Sequence, residues 1–361
     1  MKQLFFSAIV MAGILTLASC KKNREDNSIK NSDVKIGYEQ AKKFFESNAP
    51  QYESFSFDAS AGGTITTSKG TKINFPANAF KNAAGQTING NVTVDVKDIL
   101  SASDMLLGNR PTEANGQPLI SFGEMTVKAS QNGQPLQLRN DSARVQVPLA
   151  PNPNAAGGQF LREVPMWRGD SAVSYTLQGY DNENTSVTLT QTGYIPRGVN
   201  WNQNGNFATN NLNGTSTFKL DSLGQWRNCD ALMSDPRPKT TVLGYFTNQW
   251  NPETSTSYMG SEPSMLFFKV KQQNTLIKLY NKIITSVPGK EGLLSYQNSF
   301  PVGIEGTFLA ITFKGGKVYA EMKDVTVGSP AIGKTYYPVS FVLSEVSEAQ
   351  LLSLIQQLNT K

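Results

Sequence analysis

None of the 361 residues is histidine, and that absence removes Ser-His-Asp and Cys-His catalysis, histidine zinc sites and imidazole proton relays together. Ser-x-x-Lys, the spacing at which a lysine activates a serine one helical turn away, occurs at Ser32–Lys35 and Ser216–Lys219. The first copy falls in a polar tether and the second in a strand pattern, and the companion Ser-Asp-Asn and Lys-Thr-Gly motifs are absent, so acyl transfer is not expected. Gly328–Thr335 matches the letters of the phosphate-binding loop G-x-x-x-x-G-K-T. That loop needs a following helix to receive the phosphate, whereas Tyr336–Val342 reads as a strand containing a proline, so a turn is expected and no nucleotide. Glycoside hydrolysis asks only for two carboxylates at a set separation. Asp95, Asp98, Asp104 and Glu124 lie in the best-patterned region, but alternation puts them on a wet sheet face, where charge is solvated. Trp201, Trp226 and Trp250 fall within fifty residues, with Tyr194, Tyr245 and Tyr258 nearby. Such rings fill cores first and, where a face is open, stack on sugars. No residue cluster implies a metal or an organic cofactor. The formal net charge of +5 is too dilute over this length for nucleic acid, which needs basic residues gathered on one face.

The two cysteines, Cys20 and Cys229, have different surroundings. Residues 1–20 place one lysine, then an apolar stretch from Leu4 to Leu17, then small residues, which is the three-part pattern of a secretory leader and too short for a permanent span. Leu17-Ala18-Ser19-Cys20 resembles the lipobox of bacterial lipoproteins. That resemblance implies cleavage after residue 19 and acylation of Cys20, with several chains making membrane attachment effectively permanent. Lys21 in place of Asp implies, by the same analogy, the outer membrane of a two-membrane cell, on its periplasmic face or at the surface. Cys229 is then unpaired and is expected to be a buried apolar residue. Asp141-Ser142-Ala143, Asp170-Ser171-Ala172 and Asp221-Ser222-Leu223 are similar to the acceptor motif of an O-glycosylation system for exported proteins, which would place sugars on Ser142, Ser171 and Ser222. Arg168-Gly169-Asp170 spells an adhesion tripeptide and is expected to be a turn.

The elements that must position these residues are mainly strands. Charged residues make up only 17% and glycine is abundant, a composition suited to short strands joined by turns. Val92, Val94 and Val96 share one face of a strand, and 124–129, 136–139 and 144–148 repeat the alternation. Asn-Gly pairs at 89–90, 115–116, 132–133, 204–205 and 213–214 supply the positive φ angles of tight hairpins. Gly224–Asp230 looks like a compact packed turn, and Leu276–Ile284 fits helix or strand. Ser347-Glu348-Ala349-Gln350 is a capping box, followed by a stripe of Leu351, Leu352, Ile355 and Leu358 on a terminal amphipathic helix.

Within 60–150, the run Gly62–Ile65, then Gly70–Phe80 with its Pro-x-x-Ala-Phe piece, Ile88–Val92 and Gly123-Glu124 resembles ZU5-like β-sandwich domains of bacterial lipoproteins. The resemblance implies a non-catalytic interaction module. The expected organisation is a leader over 1–19, a lipidated tether over 20–50 with a short helix near Tyr38–Ser47, and a ZU5-like domain over 51–150. A bridging β segment over 151–192 and a second β-rich domain over 193–361 complete it, giving two β-sandwich-like domains with short helices. The expected function is a non-catalytic envelope lipoprotein that binds a protein or glycan through loops. A carboxylate-dependent glycan hydrolase and a purely structural envelope tether are the alternatives. The expected partners are the membrane, through the lipid, and an envelope glycan or protein, with neither nucleic acid nor nucleotide.

Overall fold

The computed structural model describes residues 27–114, 117–139, 143–149, 161–170, 173–181, 189–195, 200–255, 262–284 and 287–361. The leader, Cys20, Ser142, Ser171 and Asn115-Gly116 lie outside them. The chain is mainly β, with several sheets and few helices, the last of them C-terminal.

Period-2 patterning builds the first sheet. Its main strands are β1 (Glu53–Asp58), β2 (Gly63–Thr66), β3 (Lys72–Phe75), β4 (Asn91–Ile99), β5 (Gln117–Gln131), β6 (Ala143–Pro148), β7 (Glu163–Asp170), β8 (Asn200–Asn211), β9 (Thr215–Leu220) and β10 (Trp226–Leu232). They run antiparallel in the order β1-β4-β5-β10-β7-β8-β9-β6-β3-β2. The two end strands are consecutive in the chain and meet again in space: Phe57 lies against Gly63, and the Ser68 amide and hydroxyl both donate to Glu53 at 2.8 Å. The sheet is thus rolled over an interior filled by Val92, Val94, Val96, Val145, Val147 and Phe75. Closing a sheet on itself leaves fewer open edges to pair with foreign strands.

The remaining strands form two further sheets. A seven-stranded sheet contains Lys239–Phe246 and, parallel to it, Tyr336–Phe341. A five-stranded sheet is centred on Ser264–Val270, Glu305–Lys314 and Lys317–Thr326. Phe268, Phe308 and Phe341 join these two sheets face to face, the last two rings 5.6 Å apart and edge-on. On the other face of the five-stranded sheet, Leu309, Ile311 and Phe313 are covered by three helices, α1 (Asn27–Asn48), α2 (Ala102–Leu107) and α3 (Glu348–Gln357). The capping box of α3 is present as expected, with Ser347 and Gln350 bonded reciprocally, and Leu351 and Ile355 are buried.

Several expectations change. The tether region carries a helix longer than Tyr38–Ser47, and Ala41, Phe44 and Phe45 bury one side of it against Phe313. Burying such a phenylalanine contributes roughly 1.5–3 kcal/mol, so this part docks rather than tethers. A Cβ on Gly37 would lie 2.4 Å from the Phe313 carbonyl oxygen, so glycine permits the close approach. The chain leaves the first sheet for the last time between Leu232 and Lys239 and not near residue 193, because β8, β9 and β10 insert between β5 and β6. Strand patterning marks where a strand is, whereas its partner is a non-local choice. Within 151–192, β7 lies in the first sheet while Val173–Asp181 pairs with Asn281–Ile284 in the seven-stranded one. Residues 226–230 are strand and not turn, and Leu276–Ile284 is two strands. Arg168-Gly169-Asp170 ends β7 instead of forming a turn. Gly328–Lys334 connects strands without a helix, as its expected turn requires.

Candidate functional site: a cleft between parted strands

The ladder joining β8 to β9 is only three pairs long, from Thr209↔Thr217 to Asn211↔Thr215. Beyond Thr209 the strands part. The cause lies on the other side of β8, where Pro165 pairs with Phe207 and Trp167 with Gln203, so that Asn204, Gly205 and Asn206 face the single residue Met166. This is a bulge of three residues against one, and Gly205 allows it at φ +80°. The Asn204-Gly205 pair expected in a hairpin therefore sits inside a strand. The Asn204 side-chain oxygen accepts the Asn206 amide at 3.0 Å and fixes the bulge.

Parting the strands opens a cavity of about 730 Å³, within the size range of small-ligand sites. Its floor reaches Met166, Phe218 and Arg227, and Asn204, Asn206 and Phe207 form one wall. Lys72, Asn74, Arg144, Gln146, Thr217 and Lys219 form the other. Phe207 is 57% exposed, a large apolar ring held at the rim. Arg227 is 2% exposed and donates from Nε to Asp221 at 2.7 Å, with further bonds to Gln225 and to the Ser222 hydroxyl. Burial holds its pKa below the ordinary guanidinium value, and the Asp221 carboxylate opposes that shift. The Ser222 hydroxyl accepts from Arg227 and donates to Asp221 at 3.2 Å.

The residues singled out by sequence do not converge. Trp201 is fully buried beside Trp167, its indole N–H 3.4 Å from the Pro111 carbonyl. Trp250 is buried elsewhere, edge-on to Phe246. Trp226 is half-buried beneath the Arg110 guanidinium, 4.4 Å from its ring centre. Trp201 and Trp250 therefore offer no face for a sugar, and the open aromatic ring is Phe207, which a search for tryptophans missed. Cys229 is buried with its sulfur 3.3 Å from that of Met166, and burial pushes its thiol pKa well up, so it is inert packing.

The carboxylates also depart from expectation. Asp95 is partly exposed and accepts from Ser54, but Asp98 is buried against Thr67 and Glu124 is fully buried. Glu124 on β5 pairs with Asn228 on β10, next to Asp230, which accepts from the Asn228 side chain at 2.5 Å. Among the described residues, neither Glu124 oxygen has a hydrogen-bond partner. Burial, then the neighbouring Asp230, pushes the Glu124 pKa well up, against a lowering by Arg110. Burial raises Asp230 to about 7 and Glu113 to about 8. Glu113 as a residue is partly exposed, yet its Oε2 reaches neither solvent nor a partner. The Glu124–Asp230 pair lies where the first sheet meets the hairpin around Asn274, which accepts the Ser121 amide and donates to the Leu100 carbonyl. Both residues are 0% exposed, so no substrate reaches them there.

No family model, curated protein or solved structure matches this chain. No helix among the described residues is long and apolar enough to cross a membrane.

Proposed function

We propose that the chain is a lipid-anchored, non-catalytic lipoprotein of the bacterial envelope that binds a glycan in the cleft between β8 and β9. The observation that carries this reading is the cleft itself: a bulge-opened cavity with amide side chains on its walls and the ring of Phe207 at its rim. Asn and Gln both donate and accept, which suits hydroxyl-rich ligands, and an exposed ring supplies a stacking surface. The lipobox-like Leu17–Cys20 supports anchoring through Cys20, and the ZU5-like stretch within 60–150 supports an interaction module.

The binding half is tested with a panel of neutral and acidic polysaccharides against the full chain in detergent. Phe207→Ala and Asn206→Ala are expected to weaken binding at least tenfold, and unaltered affinity in both would remove the cleft from consideration. The anchoring half is tested by labelling with palmitate. Label is expected in the parent and absent from Cys20→Ser.

A further inference from the structure

The cleft wall carries an arrangement that glycan binding alone does not require. In the β6–β9 ladder Arg144 stands directly opposite Lys219, and on the next outward-facing row Gln146 is flanked by Thr217 and by Lys72 of β3. Like charges directly opposite one another on a sheet destabilise it. Ordinarily a carboxylate on a neighbouring strand relieves them. Among the described residues, the side chains of Lys72, Arg144 and Lys219 make no ion pair or hydrogen bond. The acidic residue of the lining, Asp221, is already engaged by Arg227 and lies 3.7 Å from Arg168. Three cations therefore face one cavity without a counter-ion among the described residues.

We propose that the ligand of this cleft is an acidic polysaccharide, whose carboxylate or phosphate groups are held by Lys72, Arg144 and Lys219. This deepens the glycan-binding reading and rests on it. Arg144 offers the planar fork that grips such an oxyanion through two parallel bonds, while the two lysines act as point charges on either side. The cations lie on three successive strands, β3, β6 and β9, so they span about two strand spacings, roughly 10 Å. That separation suits several acid groups along a chain better than one small ion. The concavity and the interleaved Asn74, Gln146, Asn204 and Asn206 favour a saccharide over a flat array of lipid headgroups.

The test titrates the full chain in detergent with polygalacturonate and alginate, each beside its carboxyl-reduced, neutral counterpart. The acidic forms are expected to bind at least tenfold more tightly, with affinity falling steeply as salt rises. The double variant Arg144→Gln/Lys219→Gln is expected to lose that preference while unfolding at a temperature no lower than the parent, which separates lost recognition from lost folding. Equal affinity for acidic and neutral forms would overturn the charge inference and leave the glycan reading standing. Binding of anionic phospholipid vesicles with no binding of any polysaccharide would overturn both, and so would binding of none of these probes.

Discussion

The cleft wall and the carboxylate cluster both gather groups of like charge, and they resolve the conflict in opposite ways. Lys72, Arg144 and Lys219 lie on the wet side of the first sheet, where water screens them. Glu124, Asp230 and the enclosed end of Glu113 lie under the second part of the molecule, where no water reaches, and burial drives them toward the neutral acid. Repulsion tolerated in solvent is available for binding an anion. Repulsion sealed in the interior becomes a dependence of folding on pH. Exposure, more than residue type, decides which role a cluster of like charges takes.

The largest expected effect tests the sealed cluster. The folded state keeps protons that the unfolded chain releases above about pH 4, so the stability these groups lend is fully present below about pH 4 and is lost as pH rises through 7 to 8. For Asp230, displaced from 3.8 to about 7, the loss is on the order of 4 kcal/mol at ~1.4 kcal/mol per pH unit. Urea midpoints at pH 4 and pH 8 measure it. Asp230→Asn should flatten the difference, and an equally steep profile in that variant would show that Asp230 is not its source. On the cleft side, Asp221→Ala strands the buried Arg227 guanidinium and should cost about 3 kcal/mol, the scale for breaking a buried ion pair, read as a lower urea midpoint at fixed pH. Next in size is Gly205→Ala. No atom lies within 4 Å of the added Cβ, so the expected ~1–2 kcal/mol is the cost of positive φ alone. A loss well above that range would mean the bulge itself had rearranged, and ligand affinity should then fall as well.

How much of this was legible in sequence follows the reach of each signal. The strand alternation at Val92, Val94 and Val96 and the capping box at Ser347 act within a few residues, and both are found as read. The cleft depends on a mismatch between β7 and β8, strands about forty residues apart, and on the pairing of β6 with β9, seventy residues on. Neither is written in local spacing. Asn204-Gly205 did announce a positive φ, but whether it turns the chain or bulges a strand depends on its partner. Glu124 was placed on a wet face because alternation fixes which side a residue takes and says nothing about what later covers that side. Asn274 and its hairpin supply the cover from 150 residues away.

The smallest effect sharpens the comparison most, because its sign is unusual. Removing a cation from a protein surface ordinarily changes little, and removing one with a partner costs stability. Among the described residues Arg144 has no side-chain partner but a lysine directly opposite, so Arg144→Gln should raise stability, by about 0.2–1 kcal/mol. Glutamine keeps most of the aliphatic stem over the sheet, so packing is little altered. The gain should shrink when the midpoint is measured in 1 M salt, where the Debye length is only about 3 Å. A variant that is less stable than the parent at low salt would mean that Arg144 already has a protein counter-charge. The cleft would then be a neutral pocket, and the contrast with the sealed carboxylates would reduce to one of burial alone.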